Sequence, residues 1–356
     1  MTETKIGREP SEAEDRLGSA DPELESGRHA QRLAEYCAAY QGADAKRSLI
    51  QVVGTALSFA ALCAGIFLCI ERAPWAIPFL TLPAAGMLVR LFIIQHDCGH
   101  GSFFESRAMN DLLGRLISVA TMTPYGYWRR AHAQHHATSG DLSRRGFGDI
   151  TTLTVEEYRE LSLGRRVAYR LYRNPVVLLV FGPPFHFMIG QRSPWSTPYS
   201  FCEVWKSVLS LNLGAVIVYG LVVSVVGGKP LLITYLPVMV IASCAGGWLF
   251  FVQHQFADTY WAQGDDWDFH ASALKGSSYY VLPRIFCWFT GNIGLHHIHH
   301  LCGKIPNYRL QECLDGSPEL RQTSRLNFRQ SLRCIRLTLW DEAKGKLVGF
   351  RELKTA

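Results

Sequence analysis

The 356-residue chain is 48% hydrophobic and only 19% charged, where a soluble domain carries about a quarter charged residues. That composition excludes a disordered chain, which is poor in apolar residues, and ten cysteines without a CxxC pair exclude a small disulfide scaffold. Lys and Arg number 36 against 30 Asp and Glu, an excess of six that is too small and too dispersed for a nucleic-acid partner.

Residues 1–45 read as a polar N-terminal extension. It has no apolar h-region, so no cleaved signal or transit peptide is expected. Four stretches then lack charge or nearly so: 49–70, 75–95 (with Arg90 alone), 208–226 and 231–252. Each approaches the roughly 20 apolar helical residues that a bilayer core requires, and each is expected to be a transmembrane helix. Pro78 and Pro83 fall inside the second, where a kink is expected. The gaps at 71–74 and 227–230 allow only tight hairpins, so both tips lie on one side of the membrane. Those tips carry only Glu71, Arg72 and Lys229, while nearly all other Lys and Arg lie on the opposite side. By the positive-inside rule the bulky side is cytoplasmic. Two weaker apolar stretches, 112–125 and 175–190, read as helices lying on or dipping into the interface, with Trp128, Trp195 and Trp205 near headgroup depth. The fold class is therefore all-α and integral to the membrane: four spans in two hairpins under a cytoplasmic helical cap. The domain reading is an extension at 1–45, a core domain at 46–315 and a cytoplasmic tail at 316–356.

All thirteen histidines fall on the cytoplasmic side of this topology. His96 and His100 (HDCGH) close the second span at i and i+4. His132, His135 and His136 (HAQHH) stand at i, i+3 and i+4. His254 follows the fourth span directly, and His296, His297, His299 and His300 form HHIHH. Spacings of three and four bring side chains onto one helix face. A single such histidine is ordinarily a surface or capping residue; three clusters past the span ends on one membrane face point to metal. They supply too many ligands for one tetrahedral zinc and suit two metals with open positions, among which imidazole alone does not choose. No HExxH, no GxSxG and no dinucleotide fingerprint accompanies them.

HDCGH, HAQHH and HHIHH resemble the three histidine boxes of the membrane fatty acid desaturase and hydroxylase superfamily. The surrounding text, WRRAHAQHHATSG, RRGFGDI, FFVQHQFADTYW and GNIGLHHIHHLCGKIPNY, is similar to bacterial acyl-lipid desaturases over roughly residues 50–310. The resemblance implies two non-haem irons, O2 as oxidant and electrons from a ferredoxin or cytochrome b5-like donor. The HPGG of a fused cytochrome b5 is absent, so the donor is expected to be a separate protein. It also implies nine ligands: His96, His100, His132, His135, His136, His254, His296, His299 and His300. His297 is then expected outside the ligand set, pairing only with His300 at i+3. Asp97, Asp141, Asp149 and Asp258 lie near the boxes in sequence and are candidates to hold ligand imidazoles by their second nitrogen. The implied activity is O2-dependent desaturation of long acyl chains esterified in membrane lipids, in a bacterial inner membrane with the catalytic face cytoplasmic. The alternative is a di-iron hydroxylase or ketolase of an alkyl, terpenoid or small-molecule substrate. A metal transporter would need ligands partway through the spans, and these spans have almost none.

Overall fold

A computed structural model describes residues 22–193 and 197–354. Fifteen helices follow one another: α1 (Pro22–Ala38), α2 (Ala45–Arg72), α3 (Ile77–His100), α4 (Arg107–Thr121), α5 (Tyr125–Thr138), α6 (Val155–Glu160), α7 (Leu163–Tyr172), α8 (Gly182–Met188), α9 (Phe201–Val226), α10 (Gly228–His254), α11 (Phe269–Lys275), α12 (Arg284–Phe289), α13 (His296–Leu301), α14 (Asn307–Asp315) and α15 (Phe328–Cys334). Five short strands join them: β1 (Leu153–Thr154), β2 (Tyr279–Tyr280), β3 (Arg325–Leu326), β4 (Leu339–Asp341) and β5 (Lys346–Val348).

Among the described residues, four helices are long and apolar enough to cross a membrane: α2, α3 with the short turn before it, α9 and α10. They form the two expected hairpins, but the helices outrun the apolar runs. α3 continues to His100 and α10 to His254, so the two histidines of the first box and His254 ride on the last turns of spanning helices rather than beyond them. Pro78 occupies the first turn of α3, where a missing N–H costs nothing, and Pro83 sits within one unbroken helix. The second tip turns at Gly227, whose φ of +86° and ψ of 161° only glycine adopts readily. Of the most apolar window, 11% is buried in α2 and in α9, against 50% in α3 and 39% in α10. α3 and α10 are thus the inner pair, packed through Ala84, Leu88, Leu91, Val238, Ala242 and Leu249.

The segment expected as a loose N-terminal extension folds in part. α1 buries Ala30, Leu33 and Cys37, an i, i+3, i+7 stripe, against Ile298, Leu301, Leu310 and Leu314 of α13 and α14. Three modest apolar positions among many charges hid this helix in the sequence. Residues 1–21 and Trp195 lie outside the described residues. The C-terminal residues 316–354 are likewise folded back. β3 pairs in parallel with β2, and β4 pairs in parallel with β1 and antiparallel with β5, burying Leu339, Trp340, Leu347 and Val348.

The two interfacial stretches differ in detail from expectation. The first ends at Thr121, where Met122 takes φ +56° and the chain turns into α5. The second holds a π-helical turn at Val177–Phe181, then α8. Pro183 and Pro184 have no N–H, so the preceding turn widens and the Gly182 N–H bonds back to the Val177 carbonyl. The freed Val180 carbonyl accepts from Cys244 Sγ of α10 at 3.4 Å.

Candidate metal centre

Four elements carry the nine histidines to one place under the cap. α3 supplies His96 and His100, α5 supplies His132, His135 and His136, α10 supplies His254, and α13 supplies His296, His299 and His300. Their ring nitrogens fall into two groups, each with all ligand atoms within 4.8 Å of one another: His96, His100, His132, His136 and His299; and His135, His254, His296 and His300. In the first, Nε2 of His132 lies 3.0 Å from that of His100 and 3.1 Å from that of His136, and Nε2 of His136 lies 3.0 Å from that of His299. In the second, His254 Nε2 lies 3.1 Å from His135 Nε2 and 3.0 Å from His296 Nε2, and His296 Nε2 lies 3.1 Å from His300 Nε2. The groups cut across the boxes. His135 parts from its neighbours on α5 and His299 from its neighbours on α13, because successive helical residues turn by about 100°.

The outer nitrogens decide what the inner ones can do. His135 Nδ1 donates to Asp149 Oδ1, and His254 Nδ1 donates to the Gly276 carbonyl at 3.0 Å. Both acceptors fix the proton on Nδ1, so both Nε2 atoms present bare lone pairs to each other. Neutral imidazoles so placed repel; a shared cation removes the conflict. Separations near 3.0 Å are also what two ligands at right angles give around a metal bound at about 2.1 Å. The donor set therefore fits metal ions. Burial, with the neighbouring histidines adding to it, holds His132, His136, His296, His299 and His300 well below the usual histidine range. All five are thus in the neutral form that binds metal.

The four candidate carboxylates separate. Asp97 Oδ1 meets His96 Nδ1 at 3.2 Å. Its Oδ2 accepts from the Asn307 backbone N–H at 2.7 Å and from Asn307 Nδ2 at 2.8 Å. Gln51 Nε2 donates to Asn307 Oδ1 at 2.9 Å, which ties the first span to the centre. Asp149 holds His135. Asp141, in contrast, accepts from the Ser143 N–H at 2.8 Å and from Arg144 and closes a loop, while Asp258 is exposed. Neither contacts a histidine among the described interactions, so the sequence expectation for these two is corrected: proximity along the chain did not bring them to a ring. His297 also stands apart. It lies in neither nitrogen group, its Nε2 donates to the Leu320 carbonyl at 2.9 Å, and it stacks on Tyr279 with ring centroids 5.7 Å apart. Burial pushes its imidazole down to about 4.

Beside the histidines opens an apolar cavity of about 720 Å³. α3 lines it with Leu88, Val89, Phe92 and Ile93, α10 with Met239, Ala242, Gly246 and Phe250, and the 175–190 segment with Leu178, Leu179 and Phe187. His96, His132, His296 and Asp149 stand on its wall. Trp128 is part of this wall; it stacks on His132 with ring centroids 4.8 Å apart and planes 12° apart. The sequence reading missed the cavity residues. The pair Gly246–Gly247 was their one signal: a Cβ at Gly246 meets nothing within 4 Å, while Gly247 lets Pro183 approach α10.

The family model for fatty acid desaturases matches residues 73–331. A fatty acid desaturase of Bacillus subtilis (strain 168) is 38% identical over 323 residues, 91% of each chain. The chain belongs to the fatty acid desaturase family. An sn-1 acyl-lipid omega-3 desaturase (ferredoxin) of Nostoc sp. (strain 36) is 28% identical, over 74% of this chain and 72% of its own. An endoplasmic-reticulum omega-3 fatty acid desaturase of Nicotiana tabacum is 27% identical, over 76% and 71%. This desaturase is thus an oxidoreductase and an integral membrane protein, with histidine clusters capable of holding metal beside an apolar cavity.

Proposed function

We propose that the desaturase removes two hydrogens from adjacent methylenes of a long acyl chain esterified in a membrane lipid, with O2 as oxidant and two irons held by the nine histidines. The observation that carries this reading is the position of both nitrogen groups on the wall of an apolar cavity between the inner spans. An unactivated C–H bond offers no polar handle to acid, base or nucleophile; two non-haem irons would supply, with O2, the oxidant that chemistry demands. The protein's own part is placement. Asp149 and the Gly276 carbonyl keep the protons of His135 and His254 on Nδ1, leaving Nε2 free to ligate. Asp97, steadied by Asn307 and Gln51, does the same for His96. Phe92, Trp128 and Phe250 keep water from the reacting methylenes, and the cavity holds the chain with its polar head at the interface.

The balance consumes one O2, two electrons and two protons and yields two waters. The electrons come from a separate ferredoxin or cytochrome b5-like protein; the Nostoc relative's name includes ferredoxin. The charge asymmetry of the hairpins supports a cytoplasmic position for the centre and both termini, in a bacterial cell. The relatives named above are desaturases, which disfavours the hydroxylase or ketolase alternative. Expression in a host without polyunsaturated lipids tests the reading: fatty acids that have lost two hydrogens support it, and fatty acids that have gained an oxygen instead overturn it.

A further inference from the structure

Three short helices at the rim of the cap take no part in the metal centre, yet they expose large apolar side chains. α7 shows Leu163, Val167 and Leu171 at i, i+4 and i+8, with Leu163 78% exposed. α15 shows Phe328 and Leu332 at i and i+4, and α12 shows Ile285, Phe286 and Trp288. Strand pairing and hydrogen bonds in their flanking segments link the three. Parallel pairing of β2 with β3 sends α12 and α15 out on the same side, and Tyr280 Oη meets Ser331 Oγ at 3.2 Å. Just after α15, the Leu337 carbonyl accepts from Arg173 Nη2 at 2.8 Å and the Thr338 carbonyl from Tyr169 Oη at 2.7 Å, both at the end of α7. α7 in turn leads into the 175–190 wall of the cavity. α12 lies beside the spanning helix α3. The Arg90 guanidinium lies 4.5 Å from the Trp288 ring, and Arg90 is ten residues before the end of α3, about 15 Å along its axis.

On these three helices the charge has one sign. α7, α12 and α15 hold Arg165, Arg166, Arg170, Arg284, Arg329 and Arg333 and no Asp or Glu. None of the six forms an ion pair among the described residues. Arg166 and Arg170 lie against the Tyr158 ring, and the other four are exposed. An apolar stripe flanked by arginine is what an interfacial helix needs, the stripe in the acyl boundary and the guanidinium groups among headgroups.

We propose that α7, α12 and α15 form one collar that binds the headgroups of anionic phospholipids beside the mouth of the cavity, so that the enzyme draws its chains preferentially from anionic lipid. This rests on the reading of the cavity as the acyl site. The test incubates the full-length protein with equal amounts of phosphatidylglycerol and phosphatidylcholine of matched chains in nanodiscs. Retained lipid is then quantified by mass spectrometry, and product is measured from each lipid. The expected result is enrichment of phosphatidylglycerol that falls roughly tenfold in the variant carrying Arg165→Gln, Arg284→Gln, Arg329→Gln and Arg333→Gln. Enrichment is also expected to weaken with salt and to persist in Lys344→Gln/Lys346→Gln. No enrichment in the wild type, or undiminished enrichment in the fourfold variant, overturns the collar. So does a fourfold variant that keeps its lipid preference but loses reduction by ferredoxin, which would make the rim a protein-docking face. If the variant misfolds, the salt dependence of the wild type still decides. Enrichment without any desaturated product would fail the activity and leave the collar standing; product formed equally from both lipids without enrichment fails the collar alone.

Discussion

His297 is one residue from a candidate ligand and lies outside both nitrogen groups, bonded to a carbonyl and stacked on a tyrosine. His297→Ala is therefore expected to keep both irons and lose about 10–100-fold in activity through looser orientation of α13, whereas His296→Ala loses iron and activity together. Iron per chain and product yield check this, and the reverse pattern would show that the register of the third box is misassigned. Asp149 makes a second case. Its carboxylate fixes the proton of His135, and Asp149→Asn offers an amide able to turn a donor toward Nδ1 and favour the wrong tautomer. A loss of about 10–100-fold in activity or iron affinity is expected, while Asp258→Asn, exposed and away from the rings, leaves both unchanged. Equal effects of the two would remove Asp149 from the positioning role. These carboxylates show what sequence conceals. Asp97 adjoins His96, Asp258 and Asp141 lie four and five residues from a candidate ligand and Asp149 lies thirteen, yet Asp97 and the distant Asp149 are the two that reach a ring, which only the folded loops decide.

At the scale of elements, the spans and the histidine-bearing helices were legible because their signals are long or repeated: four uncharged runs, and pairs at i and i+4. α1 was not, since its buried stripe is only Ala30, Leu33 and Cys37. α7, α12 and α15, at ten residues or fewer, are too short for periodicity to speak. The division of His135 and His299 from their neighbours depends on where facing helices stand, which no local pattern records. The cavity was hidden for the same reason, since its walls come from α3, α10 and a π-helical turn far apart in sequence. Gly246 faces its open space, eight residues before His254 and so about 12 Å along the helix axis. Gly246→Leu is expected to shift the product profile toward shorter chains while iron content stays at the wild-type level. An unchanged chain-length profile in fatty-acid analysis would place the acyl chain elsewhere.

For the whole molecule, two tight hairpins lead us to expect both termini and the candidate metal centre on one membrane face. The expected face is the cytoplasmic one, because the tips carry so little positive charge. A reporter fused after Ala356 should be active only inside the cell, and activity confined to the outside would invert the topology. One further consequence follows from the way the two nitrogen groups share their scaffolding. α5 gives His132 and His136 to one group and His135 to the other, and α13 divides likewise, so neither helix can be ordered for one ion without being ordered for its neighbour. The first ion bound meets the rotational cost of aligning both helices, and the second finds its donors already in register. Loading should be cooperative: titration of the apo-protein with ferrous ion is expected to be sigmoidal, with singly loaded chains scarce by native mass spectrometry, and two independent hyperbolic steps would show that the helices adjust separately.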